Sequence, residues 1–377
     1  MKKITIIGGG AAGMACAAML ARAGKEVALL ERGDRLGRKL SATGNGQGNV
    51  TNVNIDASHY FSDDEPKLAR ILSRFSWQDA VNFLQSMGGL FLPDARGRVY
   101  PAGRQASAVT DLFRRELALR GVNVLTGVRV TRIEREKNSL CVYGEGKKIT
   151  SEIVVLAAGG AAAKNFGTDG SAYELARAFG HTVTPLQPVL VQLRCAPESV
   201  RGLKGIRMDA GVRVLRGREQ IYSCRGDVLF TESGVSGDAV FRASSYAQKG
   251  DVLQLDFLPD VDETQLRRVV GEGEEGLWCV VPNGLGRFLY KKAEGDRERS
   301  LTLLKQFELT VSGTLGFDYA QATRGGVLLS ETDEHLQSNK CKGLYFAGEI
   351  LNVDGECGGY NLHWAFASAH AVAEALI

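Results

Sequence analysis

Apolar residues at both ends of this chain form short unbroken runs followed by helical spacing, the pattern of buried strands alternating with helices. Ile4-Thr5-Ile6-Ile7 predicts a buried strand, because β-branched side chains occupy consecutive positions. Met14–Arg22 is a run of the helix formers Ala, Met and Leu that Gly24 ends. Val27-Ala28-Leu29-Leu30 predicts a second apolar strand. Lys67–Met87 carries Leu68, Ile71, Leu72, Phe75, Phe83, Leu84 and Met87 on one broad side, which predicts a packed helix, and Ala106–Arg120 predicts another. Val122–Leu125, Val128–Ile133, Leu140–Tyr143 and Glu152–Leu156 predict strands. From about His181 the pattern changes to short alternating runs between glycine turns, as in Val212–Leu215 and Val228–Phe230, which predicts a β-rich insert. Asp262-Glu263-Thr264 opens helical spacing that continues, with breaks, to Phe307, and Leu309–Ser312 returns to strand. The chain closes with a strand running into Glu349, a glycine-rich loop, and a helix predicted over Tyr360–Leu376.

Between the first strand and the first helix lies Gly8-Gly9-Gly10-Ala11-Ala12-Gly13, a G-x-G-x-x-G sequence in the context that gives it a mechanism. Gly8 makes the tight turn, Gly10 lets backbone approach a pyrophosphate, and Gly13 lets helix and strand pack closely. The helix N-terminus, including Ala11 and Ala12, then offers free N–H groups and positive dipole to the phosphates. Glu31 closes the second strand, where a carboxylate accepts from ribose hydroxyls. A long irregular loop follows, from Arg32 through Arg38-Lys39 and Thr43-Gly44-Asn45-Gly46-Gln47-Gly48-Asn49 to Asn52. It offers backbone N–H groups, amides and cations, a set suited to a phosphate and a flat heteroaromatic ring. The strand ending at Leu156 runs into Ala157-Ala158-Gly159-Gly160, a second close-approach turn. Near the end, Gly348-Glu349 and Gly358-Gly359-Tyr360-Asn361 repeat the strand, glycine loop and helix of the head. NAD or FAD satisfies the head alike. The tail favours FAD, because a helix dipole there would stabilise the anionic edge of a reduced flavin.

Composition narrows the class without changing the picture. The 377 residues supply material for about two or three domains, and 44% hydrophobic and 24% charged residues are ordinary for a soluble globular protein. A net charge of +3 is too small to argue for a nucleic-acid partner. Seven scattered cysteines, never in C-x-x-C, predict reduced thiols in a cytoplasmic protein, with neither a disulfide framework nor a metal site. No stretch approaches the roughly 18 apolar residues of a membrane span. Met1-Lys2-Lys3 followed by apolar residues has the look of a secretory leader, but Gly8-Gly9-Gly10 interrupts its apolar core.

With these motifs in place, the chain resembles the BaiN-like flavoproteins, also called the HI0933-like family and related to bacterial aminoacetone oxidases. The matching residues are Gly8–Gly13 with Glu31, the Gly37–Asn52 loop, Gly159-Gly160, Thr231 with Gly234–Gly237, Gly325-Gly326-Val327, and Gly343–Glu349 through Gly358–Leu362. The resemblance implies an α/β fold: a glutathione-reductase-type Rossmann FAD-binding domain with an inserted β-barrel and a small helical subdomain capping the flavin. The boundaries it implies are 1–185 with 317–377 for the FAD domain, 186–261 with 308–316 for the barrel, and 262–307 for the cap. It implies one non-covalent FAD, with Gly8, Gly10 and Gly13 on the pyrophosphate and Glu31 on the adenosine ribose. Arg38, Lys39, Thr43, Asn45 and Asn49 would lie near the flavin or its phosphates, and Val130 would meet the adenine through its backbone. Glu349 would reach the ribityl chain, and Gly359, Tyr360 and Asn361 the isoalloxazine edge. One departure stands out: where the family usually has Arg-Cys, this chain has Gln47-Gly48.

A flavin performs hydride chemistry itself, so the expected reaction is hydride transfer between flavin N5 and a small organic substrate. Reduction of an activated C=C and oxidation of an amine or alcohol both fit. Only one G-x-G-x-x-G is present, so NADH or NADPH, if either reduces the flavin, would dock transiently at the insert face rather than in a second Rossmann domain; if neither does, oxygen or the organic substrate completes the cycle. Tyr360, His363 and Glu356 are the proton-transfer candidates, and Arg201 and Arg207 could fix a substrate carboxylate. The competing readings are a plain NAD-dependent dehydrogenase and a non-enzymatic or RNA-associated flavoprotein.

Overall fold

A computed structural model describes residues 3–377, so Met1 and Lys2 of the leader-like opening lie outside the described residues. The chain divides into two units, one running to Gln187 and resuming over Ala322–Ile377, the other spanning Pro188–Gln321.

The first unit is built on a five-stranded parallel sheet. Its strands, in spatial order, are Leu344–Phe346, Ile153–Leu156, β1 (Ile4–Ile7), β2 (Val27–Leu30) and Asn123–Leu125. The first helix, α1 (Ala11–Arg22), and the terminal helix, Tyr360–Leu376, bury nearly all of their small residues. Ala15, Cys16, Ala17, Ala18, Ala367 and Ala369 are fully enclosed, so these helices pack through short side chains in close approach. A three-stranded antiparallel meander, Val130–Glu136, Ser139–Gly144 and Lys147–Ser151, precedes the Ile153–Leu156 strand. Its last strand escaped the sequence pattern because Lys147-Lys148 leaves no apolar run to detect. The single helix expected over Lys67–Met87 is two, Glu65–Ser73 and Trp77–Ser86. Ser76 starts the second one: its hydroxyl accepts from Asp79 N–H while the Asp79 carboxylate takes the Ser76 N–H, a capping box that interrupts an otherwise continuous apolar stripe.

The second unit holds a seven-stranded antiparallel sheet. Its order is Phe307–Thr310, Val252–Asp256, Arg207–Arg216, Glu219–Phe230, Gly234–Ser236, Leu193–Arg194 and Gly313–Thr314. The expected β-barrel is corrected here to an open sheet. The stretch 307–314 supplies both edge strands, and no ladder joins them. Alternating side chains specify the two faces of a strand but carry no instruction for closure. Helices Glu263–Val269, Asn283–Lys292 and Arg297–Lys305 do not stand apart from this sheet. Leu266, Leu285, Leu289 and Leu304 share one hydrophobic core with Val212, Leu255, Phe257 and Phe307. Among the described residues no helix is long and apolar enough to cross a membrane.

Candidate functional site

The candidate site lies in the first unit, at the carboxyl ends of the parallel strands, where open α/β sheets place their ligands. Gly8 turns the chain out of β1 with φ +110°, directly against the Ala157 carbonyl and the Ala158 Cα. A Cβ on Gly13 would overlap the Gly8 carbonyl oxygen, so the helix start is pressed onto the turn. By contrast, nothing lies within 4 Å of the place a Cβ would take on Gly10. That open position fits a pyrophosphate. Met14 N–H is the first to bond back, to Gly10, so the N–H groups of Ala11, Ala12 and Gly13 head the helix with no acidic side chain in its first turn.

Glu31 is tied into the same turn. Its Oε2 accepts the Gly9 N–H at 2.8 Å and its Oε1 the Gly33 N–H at 2.6 Å. The backbone of Glu31 bonds Leu125 and Val128, which leads the chain past it to Val130. Arg32 and Arg38 point toward residues 165–171: Arg32 is 2.7 Å from the Asp169 carboxylate and Arg38 donates to the Asn165 carbonyl at 3.0 Å. Burial would raise Asp169, but Arg32 and Ser171 outweigh it and bring its pKa down to about 2.

A second node joins four segments distant in sequence. Lys39 donates to Glu349 Oε2 at 2.7 Å, and Glu349 Oε1 accepts the Thr323 N–H at 2.9 Å. The buried Thr323 hydroxyl accepts the N–H groups of Ala161 and Ala162 at 2.9 and 3.0 Å, which fixes the turn after Gly159-Gly160. Gly348 packs against Ala12 and gives its N–H to Ser368 of the terminal helix. Head and tail of the chain therefore meet at α1. No sequence pattern marks Thr323 itself, although Gly325-Gly326-Val327 beside it belongs to the family pattern.

The irregular loop is partly self-contained. Thr43 donates its hydroxyl to the Leu40 carbonyl, and Asn45 is exposed at φ +54°. Both Nδ2 hydrogens of buried Asn49 are spent on the carbonyls of Thr51 and Val99. At the head of the terminal helix, Gly359 sits at φ +103° over the Thr51 carbonyl. Asn361 holds the preceding loop by exchanging bonds with Gly355 and donating to Glu356, so its side chain shapes the loop. Tyr360 is buried, its carbonyl accepting from the Tyr60 hydroxyl at 3.0 Å. The first turn of this helix also carries no acidic residue.

His363 is corrected as a proton-transfer candidate. It is fully buried, and its Nε2 is 3.0 Å from the Phe75 carbonyl, which only accepts, so Nε2 carries the hydrogen. Nδ1 then accepts from Thr51 Oγ1 at 2.9 Å. Burial pushes its pKa down to about 4, which keeps the ring neutral and structural. Arg207, in the second unit, pairs with Asp227 at 3.3 Å, and Arg201 is exposed. An ion pair the sequence did not disclose lies behind the tail loop. Asp354, 2% exposed, is gripped by Arg324 Nε and Nη2 at 3.0 and 2.8 Å, with the guanidinium 3.4 Å from the centre of the Phe61 ring.

Together these features define a Rossmann-type FAD-binding protein of the oxidoreductase class. The chain belongs to the HI0933-like family, whose Rossmann-domain profile matches residues 2–375. It is similar to the 3-dehydro-bile acid delta(4,6)-reductase of Clostridium scindens, 36% identical over 406 aligned positions that cover 100% of this chain and 99% of the relative. It is also similar to the ribosomal RNA dihydrouridine synthase of Haemophilus influenzae, 29% identical over 395 positions, covering 98% and 96%. In fold it resembles the 3-ketosteroid-delta4-(5alpha)-dehydrogenase of Rhodococcus jostii, at 17% identity and a TM-score of 0.53 with 99% and 97% of the chains covered.

Proposed function

We propose that this protein is an FAD-dependent reductase that saturates a carbon–carbon double bond conjugated to a carbonyl in a small organic molecule, with NADH or NADPH as a transient electron donor. The observation that carries the reading is the pair of acid-free helix N-termini, those of α1 and the terminal helix, in one unit, with Gly10 left open at the first. Such a pair suits a long anionic dinucleotide with an electron-accepting ring at its far end. In this reading the N–H groups of Gly10, Ala11, Ala12 and Gly13 hold the pyrophosphate and Glu31 accepts from the adenosine ribose. Val130 offers backbone to the adenine, Lys39 and Glu349 border the ribityl chain, and Gly359, Tyr360 and Asn361 meet the ring edge through backbone.

FAD, when bound, supplies hydride transfer at N5. The choice of a conjugated C=C comes from the relatives. A 3-oxo steroid with double bonds at positions 4 and 6 and the C5=C6 bond of uridine are both electron-poor alkenes conjugated to a carbonyl. A small molecule is preferred to RNA because the net charge is only +3 and several arginines of the second unit pair with carboxylates, Arg225 with Asp209 and Asp260, Arg242 with Asp238, Arg216 with Asp251. Nucleic-acid binding needs cations to spare for phosphates.

The test is anaerobic. Purified yellow protein is mixed with NADH or NADPH, and the bleached flavin is then offered a 3-oxo-4,6-diene steroid, simpler conjugated ketones, amines, alcohols and a uridine-containing ribosomal RNA fragment. Bleaching by a nicotinamide nucleotide and recolouring by a conjugated ketone are expected. Recolouring by RNA alone, or bleaching by an amine or alcohol alone, would overturn the assignment.

A further inference from the structure

Saturating a conjugated C=C needs a proton as well as a hydride, and we infer that His59 delivers it, with Glu356 as its positioning residue. This rests on the reductase reading above. His59 closes the turn Ala57–His59 and leads into the strand Tyr60–Ser62, which pairs antiparallel with Val353–Gly355. Its Nδ1 is 3.1 Å from Glu356 Oε2, and its carbonyl accepts the Glu356 N–H at 2.9 Å, so the two residues are joined twice. The imidazole also stacks on Tyr360, with ring centres 4.6 Å apart and planes 28° apart. Tyr360 opens the terminal helix, so the stack holds the imidazole at the helix end assigned to the flavin ring.

This geometry suits a general acid. A carboxylate on Nδ1 fixes that nitrogen as the N–H donor and leaves Nε2 as the proton-transfer atom. The His59 side chain is 34% exposed while that of Glu356 is 18% exposed, so the ring reaches outward from a more sheltered carboxylate. Two neighbouring groups at this helix end are less suited. His363 is enclosed with both nitrogens engaged, and the Tyr60 hydroxyl is spent on the Tyr360 carbonyl.

Reduced FAD, when bound, would supply the hydride to the β-carbon of the conjugated ketone and be oxidised, and a nicotinamide nucleotide would reduce it again. The π electrons form a new C–H bond at the α-carbon with the proton from His59 Nε2. The N–H bond breaks, the ring is left neutral with its Nδ1–H on Glu356, and solvent returns the proton.

The flavin is photoreduced without oxygen, so that no donor is needed, and mixed with a conjugated ketone that the wild type reduces. His59→Asn should slow reoxidation about 100-fold, the scale of a lost general acid. Glu356→Gln should slow it about 10-fold, and Glu356→Asp should recover most of the rate. A second readout is independent of turnover: para-chlorophenol, whose phenolate mimics the enolate, should give a long-wavelength charge-transfer band with oxidised flavin. His59→Asn should weaken its binding at least 10-fold while melting temperature and flavin content hold. A wild type that no conjugated ketone reoxidises would sink the reductase reading. A wild type that turns over beside a His59→Asn variant with the same rate and phenol affinity would sink only the assignment of His59. If His59→Asn loses its flavin, equal rates for Glu356→Gln and wild type overturn the inference, and a slow Glu356→Gln rescued by Glu356→Asp sustains it.

Discussion

Replacing Glu31 with Gln separates the two tasks of this side chain. Each carboxylate oxygen accepts one backbone N–H, from Gly9 at 2.8 Å and from Gly33 at 2.6 Å. Glutamine keeps the volume but turns one oxygen into an amide NH2, so one of those N–H groups faces a donor. The loss of a partly buried charged acceptor costs about 1–2 kcal/mol. A unit of this size shifts by about 2–4 °C per kcal/mol, so the flavin-free protein should melt lower by about 2–8 °C. If the same carboxylate accepts from the ribose, binding loses about another 1–2 kcal/mol, or roughly 5- to 30-fold in FAD affinity. The assays are thermal melts of stripped protein and fluorescence titration with FAD. An unchanged melting temperature would refute the structural half of the argument. A lowered melting temperature with unchanged FAD affinity would refute the placement of the ribose.

Three further outcomes follow from single contacts. His363 has a pKa near 4 in the fold against about 6.5 unfolded. The unfolded chain therefore binds more protons between those values, and the contribution is complete above about pH 6.5 and lost as pH falls toward 4. Wild type should lose about 2–3 kcal/mol across that window by urea titration and His363→Gln markedly less; parallel curves would refute this. Thr323→Val leaves the Ala161 and Ala162 N–H groups without their buried acceptor, at about 2 kcal/mol, and should speed hydrogen exchange at those two amides; unchanged protection would contradict it. Arg324→Leu strands the buried Asp354 carboxylate, which burial already raises in pKa. It should cost about 3–5 kcal/mol, most of it recovered on adding Asp354→Leu; a double variant no more stable than Arg324→Leu alone would show that the pair is not the cause.

What could be read from the sequence and what could not differ in one physical respect. The Gly8–Gly13 turn and the terminal helix Tyr360–Leu376 are legible because backbone conformation follows local residue types. The helix expected over Lys67–Met87 was misread because a 3.6-residue stripe runs through Ser76 without registering the cap that stops it. The open sheet was misread because alternation sets which face a side chain takes and leaves the fate of the edges undetermined. Side-chain chemistry is harder still, since a group's role depends on its partner. His363 looked like a proton carrier until Thr51 and Phe75 occupied both its nitrogens, while His59 drew no notice because Glu356 stands 297 positions away. The Thr323 contact with Ala161 likewise spans 162 positions. Thr323 meets Ala161 just past the end of the Ile153–Leu156 strand, His59 meets Glu356 beside the antiparallel pair Tyr60–Ser62 and Val353–Gly355, and His363 is held within the terminal helix. The partners that fix a side chain's chemistry therefore come from other elements of the first unit, whereas the strands of its parallel sheet are legible from their own apolar runs.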